Sequence, residues 1–192
     1  MKYLKTMQIN IDKKTGAFLG IILLLVLAVV FLLAGNKSMP MSHDGHSSAL
    51  SSDETMFAQM MIPHHEQAVT MSELALENTT DPDVLALATG IRDAQGLEII
   101  QMQGWLDGKS ESHKHDMEMG GMLTDAELAE LASLKDAAFD QKFLTAMIAH
   151  HEGVLDMVSM IKDSTIPEVK KLYNNIVESQ GAEIEAMKAL LE

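Results

Sequence analysis

The stretch whose reading decides the fold is written twice: Phe57-Ala58-Gln59-Met60-Met61-Ile62-Pro63-His64-His65-Glu66 and Phe143-Leu144-Thr145-Ala146-Met147-Ile148-Ala149-His150-His151-Glu152. A further methionine, Met71 or Met157, stands five residues after each glutamate. The likeness resumes downstream, where Ile91, Gln95, Gly96, Glu98, Ile99, Met102 and Leu106 match Ile176, Gln180, Gly181, Glu183, Ile184, Met187 and Leu191. Self-similarity at a fixed spacing marks a repeated supersecondary unit and sets the architecture. Here the unit is a pair of helices joined by a turn, used twice.

The punctuation between the apolar stretches supports helices throughout. Ser51 with Glu54 has the capping-box pattern and predicts a helix over 52–78. Asn78-Thr79-Thr80-Asp81-Pro82 reads as a turn, with Asp81 capping a second helix whose first position is Pro82 and which ends at 107 before Gly108. Residues 108–123 have no apolar period and form a loop rich in Met and His. Thr124 with Glu127 opens a short helix to 134, and helices over 140–163 and 167–191 repeat the first pair, Pro167 taking the part of Pro82. No stretch alternates as a strand does, so the fold class is all-α, a four-helix bundle built from a duplicated helix hairpin.

The N-terminus reads differently. Residues 15–36 carry no charge and are dominated by Leu, Ile, Val and Ala, about the ~20 residues of a membrane-spanning helix. The run exceeds a signal-peptide core of ~7–15 residues, and no small-x-small cleavage pattern closes it. Leu33-Ala34-Gly35 starts like a lipoprotein box, but Asn36 stands where the lipid-bearing Cys belongs. Lys2, Lys5, Lys13 and Lys14 precede the span against Asp12 alone, so the positive-inside rule keeps 1–14 in the cytoplasm and puts the chain beyond the span outside it, in the periplasm or the extracellular space. The expected organisation is a cytoplasmic N-terminus (1–14), a transmembrane anchor (15–36), a tether (37–52) and the bundle (53–192), with repeats 53–107 and 139–192.

Composition narrows the function. The 192 residues hold 14 Lys+Arg against 28 Asp+Glu, a formal charge of −14. Such a field repels phosphate backbones and concentrates cations, which disfavours nucleic-acid binding. There is no Cys, whereas Met numbers 16 and His 8. In an oxidising compartment a soft-metal site that avoids disulfides uses Met and His instead. Nucleophilic catalysis has no Cys to use and no Ser in a nucleophile turn.

Helical geometry, about 100° per residue, gathers Phe57, Met60, Met61, His64, His65, Ala68 and Met71 on one face and sends Glu66 to the other. The second copy does the same with Phe143, Met147, His150, His151, Val154 and Met157. On the partner helix Ile91, Gln95, Glu98, Met102 and Leu106 share one face, so Glu98, and by the repeat Glu183, is a carboxylate on a core stripe. A buried carboxylate needs a partner, and the histidines are the expected one, directly or through a shared metal. A single Met on such a stripe is commonly a gap-filling core residue. Paired histidines on a core stripe, duplicated and flanked by Met, point to metal.

Phe-x-x-x-Met-Ile-x-His-His-Glu, present twice, with Gln-Gly-x-Glu-Ile-x-x-Met in each partner helix, resembles the domain of unknown function 305 (DUF305) family over residues 50–192. That resemblance implies a ferritin-like four-helix bundle, preceded here by the transmembrane helix, and, through the family's CopM-like exported members, copper and silver binding or tolerance. Carried over by position, it implies metal ligation by Met61, His64, His65, Met71, Met147, His150, His151 and Met157, with Met102 and Met187 added; Glu98 and Glu183, from their place on the core stripe, stand behind the histidines. His43, His46, His113, His115, Met117, Met119 and Met122 lie outside the shared pattern and would be auxiliary capture groups. Thioether is soft and uncharged and selects Cu(I) or Ag(I), while imidazole also serves Cu(II) and Zn(II).

Three functions emerge as expectations. The first is a membrane-anchored extracytoplasmic protein, not an enzyme, that sequesters copper or passes it to a copper-transfer protein. The second is a ferritin-like di-metal oxidase, but such sites use Glu-x-x-His on two helices and none occurs in 53–192. The third is a structural or signalling module whose His pairs bond only to Glu98 and Glu183.

Overall fold

Helix starts are set by side chains that take over the backbone N–H groups a first turn leaves free. Ser51 Oγ accepts from the Glu54 N–H (3.2 Å) while the Glu54 carboxylate accepts from the Ser51 N–H (2.8 Å). Thr124 and Glu127 repeat this at 3.3 and 2.8 Å, and Asp81 Oδ1 accepts from the N–H groups of Asp83 (2.9 Å) and Val84 (3.2 Å). The computed structural model describes residues 50–106 and 119–192. They form α1 (Ser52–Asn78), α2 (Pro82–Leu106), α3 (Asp125–Ser133), α4 (Asp136–Met157), a 3-10 turn (Val158–Ile161) and α5 (Pro167–Leu191). No strand occurs among them. The chain is an all-helical bundle.

The described residues fall in one unit, Met39–Glu192. Among them no helix is long and apolar enough to cross a membrane. The expected anchor (15–36), the cytoplasmic segment, most of the tether with His43 and His46, and His113, His115 and Met117 of the loop lie outside the described residues.

Each hairpin packs on itself, α1 on α2 and α4 on α5, and the two hairpins meet along α1 and α4. Two apolar clusters result. One holds Phe57, Met61, Met102, Leu106, Val154, Val158 and Ile176. The other holds Ala68, Met71, Ile91, Phe143, Met147, Ile184 and Met187. Phe57 of the first repeat thus packs with Val158 of the second, while its counterpart Phe143 packs with Met71, as expected if α1 and α4 run antiparallel about a local twofold axis.

Two boundaries differ from the sequence reading. The second motif helix begins at Asp136 rather than 140, and Asp136 has φ +49°. This left-handed residue follows Lys135, whose ammonium donates to the Asn78 side chain, so the corner is tied to the end of α1. The same helix ends as a 3-10 turn instead of continuing to 163. Just before that turn Met157 is only half-buried, where its counterpart Met71 is completely buried.

The segment that returns the chain to the second repeat is a strap over the two motif helices. Gln67 of α1 clamps it at both ends of one amide, donating to the Leu123 carbonyl (2.8 Å) and accepting from the Leu123 N–H (2.7 Å). Gly121 has φ +80°, and a Cβ there would lie 2.2 Å from the Ala149 carbonyl oxygen. A Cβ on Gly153 of α4 would lie 1.9 Å from the Gly120 carbonyl oxygen. Backbone against backbone leaves no room to give. Gly153→Ala is therefore expected to destabilise the fold by about 1–3 kcal/mol, the usual cost of overpacking, measured by urea denaturation; a midpoint equal to that of the parent would show that the strap is not held against α4.

Candidate metal centre

Four imidazoles are completely buried at the middle of the bundle: His64, His65, His150 and His151. Adjacent positions on a helix project about 100° apart, so each pair serves two neighbours. His65 turns towards α2, where its Nε2 meets Glu98 Oε2 at 2.7 Å; His151 turns towards α5, where its Nε2 meets Glu183 Oε2 at 2.7 Å. The other member of each pair faces the opposite hairpin. The His64 and His150 rings meet at a centroid separation of 3.8 Å, tilted by 47°. These are equivalent positions of the two repeats, so the contact lies on the local twofold axis.

The hydrogen bonds fix the tautomers. A carbonyl oxygen can only accept, so His64 Nε2, 3.2 Å from the Gly120 carbonyl, carries its proton there. A carboxylate oxygen accepts as well, so the contacts with Glu98 and Glu183 put protons on Nε2 of His65 and His151. Nδ1 is left as a bare lone pair in the neutral form of all three rings. Those Nδ1 atoms, and both ring nitrogens of His150, are buried without a hydrogen-bond partner. The strap makes the difference within the central pair, since it gives His64 a carbonyl and His150 none.

Burial dominates the protonation of the central rings. His64 is held neutral, its pKa lowered to about 4 first by desolvation and then by the neighbouring His65 and His151, against a raising influence of the Gly120 carbonyl. His150 is lowered to about 2, again first by desolvation and then by His64, His151 and His65, with only a backbone contact to His64 opposing. Neutral imidazole is the metal-binding form.

The other expected residues fall into place unevenly. Met61 and Met102 lie in one apolar cluster, Met71, Met147 and Met187 in the other, all completely buried. Met157 borders the first cluster, half-buried. Glu98 and Glu183 stand behind the outer histidines, their side chains 15% and 9% exposed. Met119 and Met122 flank the strap and are half-buried. Among the described residues, no three His, Cys, Asp or Glu side chains group as a metal site.

Two further buried polar residues stand on the same helices as Glu98 and Glu183, and the sequence reading assigns them no role. Gln95 and Gln180, equivalent in the repeats, are 3% and 2% exposed, and both ends of each amide lack a partner. Their identity between the repeats is the sign that could have found them, since an amide kept on a core stripe needs a partner. The Gly120 carbonyl leaves no sign at all, because a backbone group has no residue code.

The family described as "Domain of unknown function (DUF305)" matches residues 54–191. The chain is similar to a putative secreted DUF305 protein of Streptomyces coelicolor, with 35% identity over 73% of this chain and 92% of that one and a TM-score of 0.68. It is similar to CopM in its Cu(I)-bound form, with 33% identity over 71% of this chain and 94% of that one and a TM-score of 0.60; CopM is also solved in Cu(II)-bound and Ag-bound forms. A 62-residue segment is 39% identical to uncharacterized protein L153 of Acanthamoeba polyphaga mimivirus, covering 32% of this chain and 41% of that protein.

The neutral central histidines couple stability to pH. In the unfolded chain they take up protons around their ordinary value of 6.5, whereas the fold excludes those protons until about 4 and about 2. The unfolded state therefore binds more protons below pH 6.5, and stability is lost as pH falls through that window. The slope is about 1.4 kcal/mol per pH unit for each such histidine. Urea denaturation between about pH 7 and about pH 4.5 should show a shallower loss for His150→Leu than for the parent; parallel profiles would contradict neutral burial.

Proposed function

The chain belongs to the DUF305 family, and from its buried imidazoles and thioethers we propose that it is a copper-binding protein that holds Cu(I) in the bundle core. In this reading it sits outside the cytoplasm on an N-terminal membrane anchor. It sequesters the ion or hands it to a copper-transfer protein, and catalyses no reaction on it.

One observation carries the reading. Five imidazole nitrogens are buried without a hydrogen-bond partner. Each such atom costs about 1–3 kcal/mol relative to one that is satisfied, and the cost recurs at equivalent positions of both repeats. A fold that needed only packing would place Leu or Phe there. The Glu98 and Glu183 carboxylates behind His65 and His151 are the arrangement in which a ligating imidazole gives its other N–H to a carboxylate. The His–Glu pairs alone would serve a purely structural module, but such a module leaves the bare Nδ1 atoms unexplained. The donor set selects the ion: uncharged thioethers with imidazole suit Cu(I) and Ag(I), and CopM, with a similar fold, is solved with Cu(I), Cu(II) and Ag.

Anaerobic titration of the full chain with Cu(I) against a competing chelator is expected to give tight binding, and the fourfold change of His64, His65, His150 and His151 to Ala to abolish it. Because the ion binds only the folded state, Cu(I) at about a hundred times its dissociation constant should add about 2.7 kcal/mol of stability. Unchanged affinity and stoichiometry in the fourfold variant would remove the proposal.

A further inference from the structure

Along the seam of α1 and α4 the backbone of the strap stands between the central imidazoles and the outside. Gly120 is exposed, yet its carbonyl accepts from His64 Nε2 at 3.2 Å. The next residue, Gly121, lies so close to α4 that a Cβ there would come within 2.7 Å of the His150 Cα. His64 and His150 themselves are completely buried. One layer of main chain therefore closes the seam at the level of the rings.

That layer is lightly held. None of residues 119–124 is fully buried, and two of them are glycines with no side chain to offer the core, so hydrophobic burial contributes little. Leu123 packs on an apolar cluster, half-buried. Three hydrogen bonds tie the strap to α1: the two to the Gln67 amide, at 2.8 and 2.7 Å, and the one from His64. The helices beneath are held by their own ladders and by both apolar clusters. A segment with few buried contacts and few bonds opens far more often than the whole fold comes apart.

We infer that the strap is a gate: residues 119–124 lift from α1 and α4 while the bundle stays folded, and Gln67 is the latch. What passes rests on the copper reading above, so the strap sets how fast Cu(I) enters and leaves. Gln67 holds both the N–H and the C=O of Leu123, and one rotation of its side chain releases both groups together. The equivalent residue of the second repeat is Gly153, which has no side chain to hold the strap with. The gate has its latch on the α1 side, and it lifts away from a flat glycine surface on the other.

The first test needs no metal. In the unaltered full chain, hydrogen exchange read by NMR should show the Leu123 amide exchanging at least about a hundredfold faster than the His150 amide. Its rate should barely respond to dilute urea, because local opening exposes little surface. Exchange of both amides at one rate with one urea dependence would mean that the strap opens only when the bundle unfolds, and would overturn the gate.

The second test follows the ion. Cu(I) uptake by the chain, and its release to a bulky chromophoric chelator, are timed anaerobically. Gln67→Leu removes both latch bonds and should speed uptake and release alike, by about 10- to 100-fold, with the dissociation constant held within about threefold. Gly120→Ala should do the opposite. Its Cβ would meet the Gly153 Cα at 3.6 Å, an ordinary van der Waals contact, and the stiffer backbone gains less freedom on opening, so both rates should fall about two- to fivefold. Circular dichroism should show the helices kept in both variants. Faster release with unchanged uptake would make Gln67 a support of the closed site, and unchanged rates in both variants would make the strap a passive cover. Either result overturns the gate while leaving copper binding intact. If the chain binds no Cu(I), the copper reading falls, and the exchange of Leu123 against His150 alone decides whether the strap opens.

Discussion

The contact between His64 and His150 governs the rest of the molecule. Two completely buried imidazoles from equivalent positions lie ring against ring on the local twofold axis, and everything about the core comes from accommodating them. Charged imidazole could not be buried there, so both stay neutral, and the apolar clusters that exclude water on either side are what hold them so. Their sequence neighbours His65 and His151 are turned outward by helical geometry and find carboxylates on the second helix of their own hairpins. The motif is therefore two instructions in adjacent letters. One histidine joins the hairpins, and the other fixes the register within a hairpin.

Much of this is legible in the sequence, for identifiable reasons. Ser51 with Glu54 and Thr124 with Glu127 announce helix starts because their bonds are local. The core face of α1 is readable from the spacing of Phe57, Met61, His64, His65, Ala68 and Met71, every one of them buried. The His–Glu pairing is readable from the place of Glu98 and Glu183 on a core stripe. The features that do not show are decided by contacts distant in the chain. Asp136 adopts a left-handed conformation at a corner tied to Asn78, so α4 starts before its apolar period does. Met157 lacks the full burial of Met71 although its spacing is the same, and its helix gives way to a 3-10 turn directly after it. The tautomers of the histidines rest on oxygen atoms, one of them a backbone carbonyl, that no residue pattern encodes.

Sequence duplication also conceals an asymmetry. Gln67 and Gly153 occupy equivalent positions of the two repeats, yet one clamps the strap with its amide and the other lies flat beneath it. A single connection between two equivalent hairpins can cross their axis on one side only, so one histidine of the central pair meets the Gly120 carbonyl and its counterpart meets no such oxygen. The halves are alike in the burial of Met61, Met102, Met147 and Met187 and in their His–Glu contacts, and unlike at the axis.

A contact in which each half offers the same ring to the same ring is the isologous arrangement of a homodimer. The bundle is in effect a dimer of hairpins whose subunits share one backbone, with the strap as the ligature. Two separate hairpins would have to find each other, and their central layer would come apart on dilution. Joined in one chain, the partner is always present at high effective concentration, so the integrity of the imidazole layer is independent of how many copies of the protein surround it.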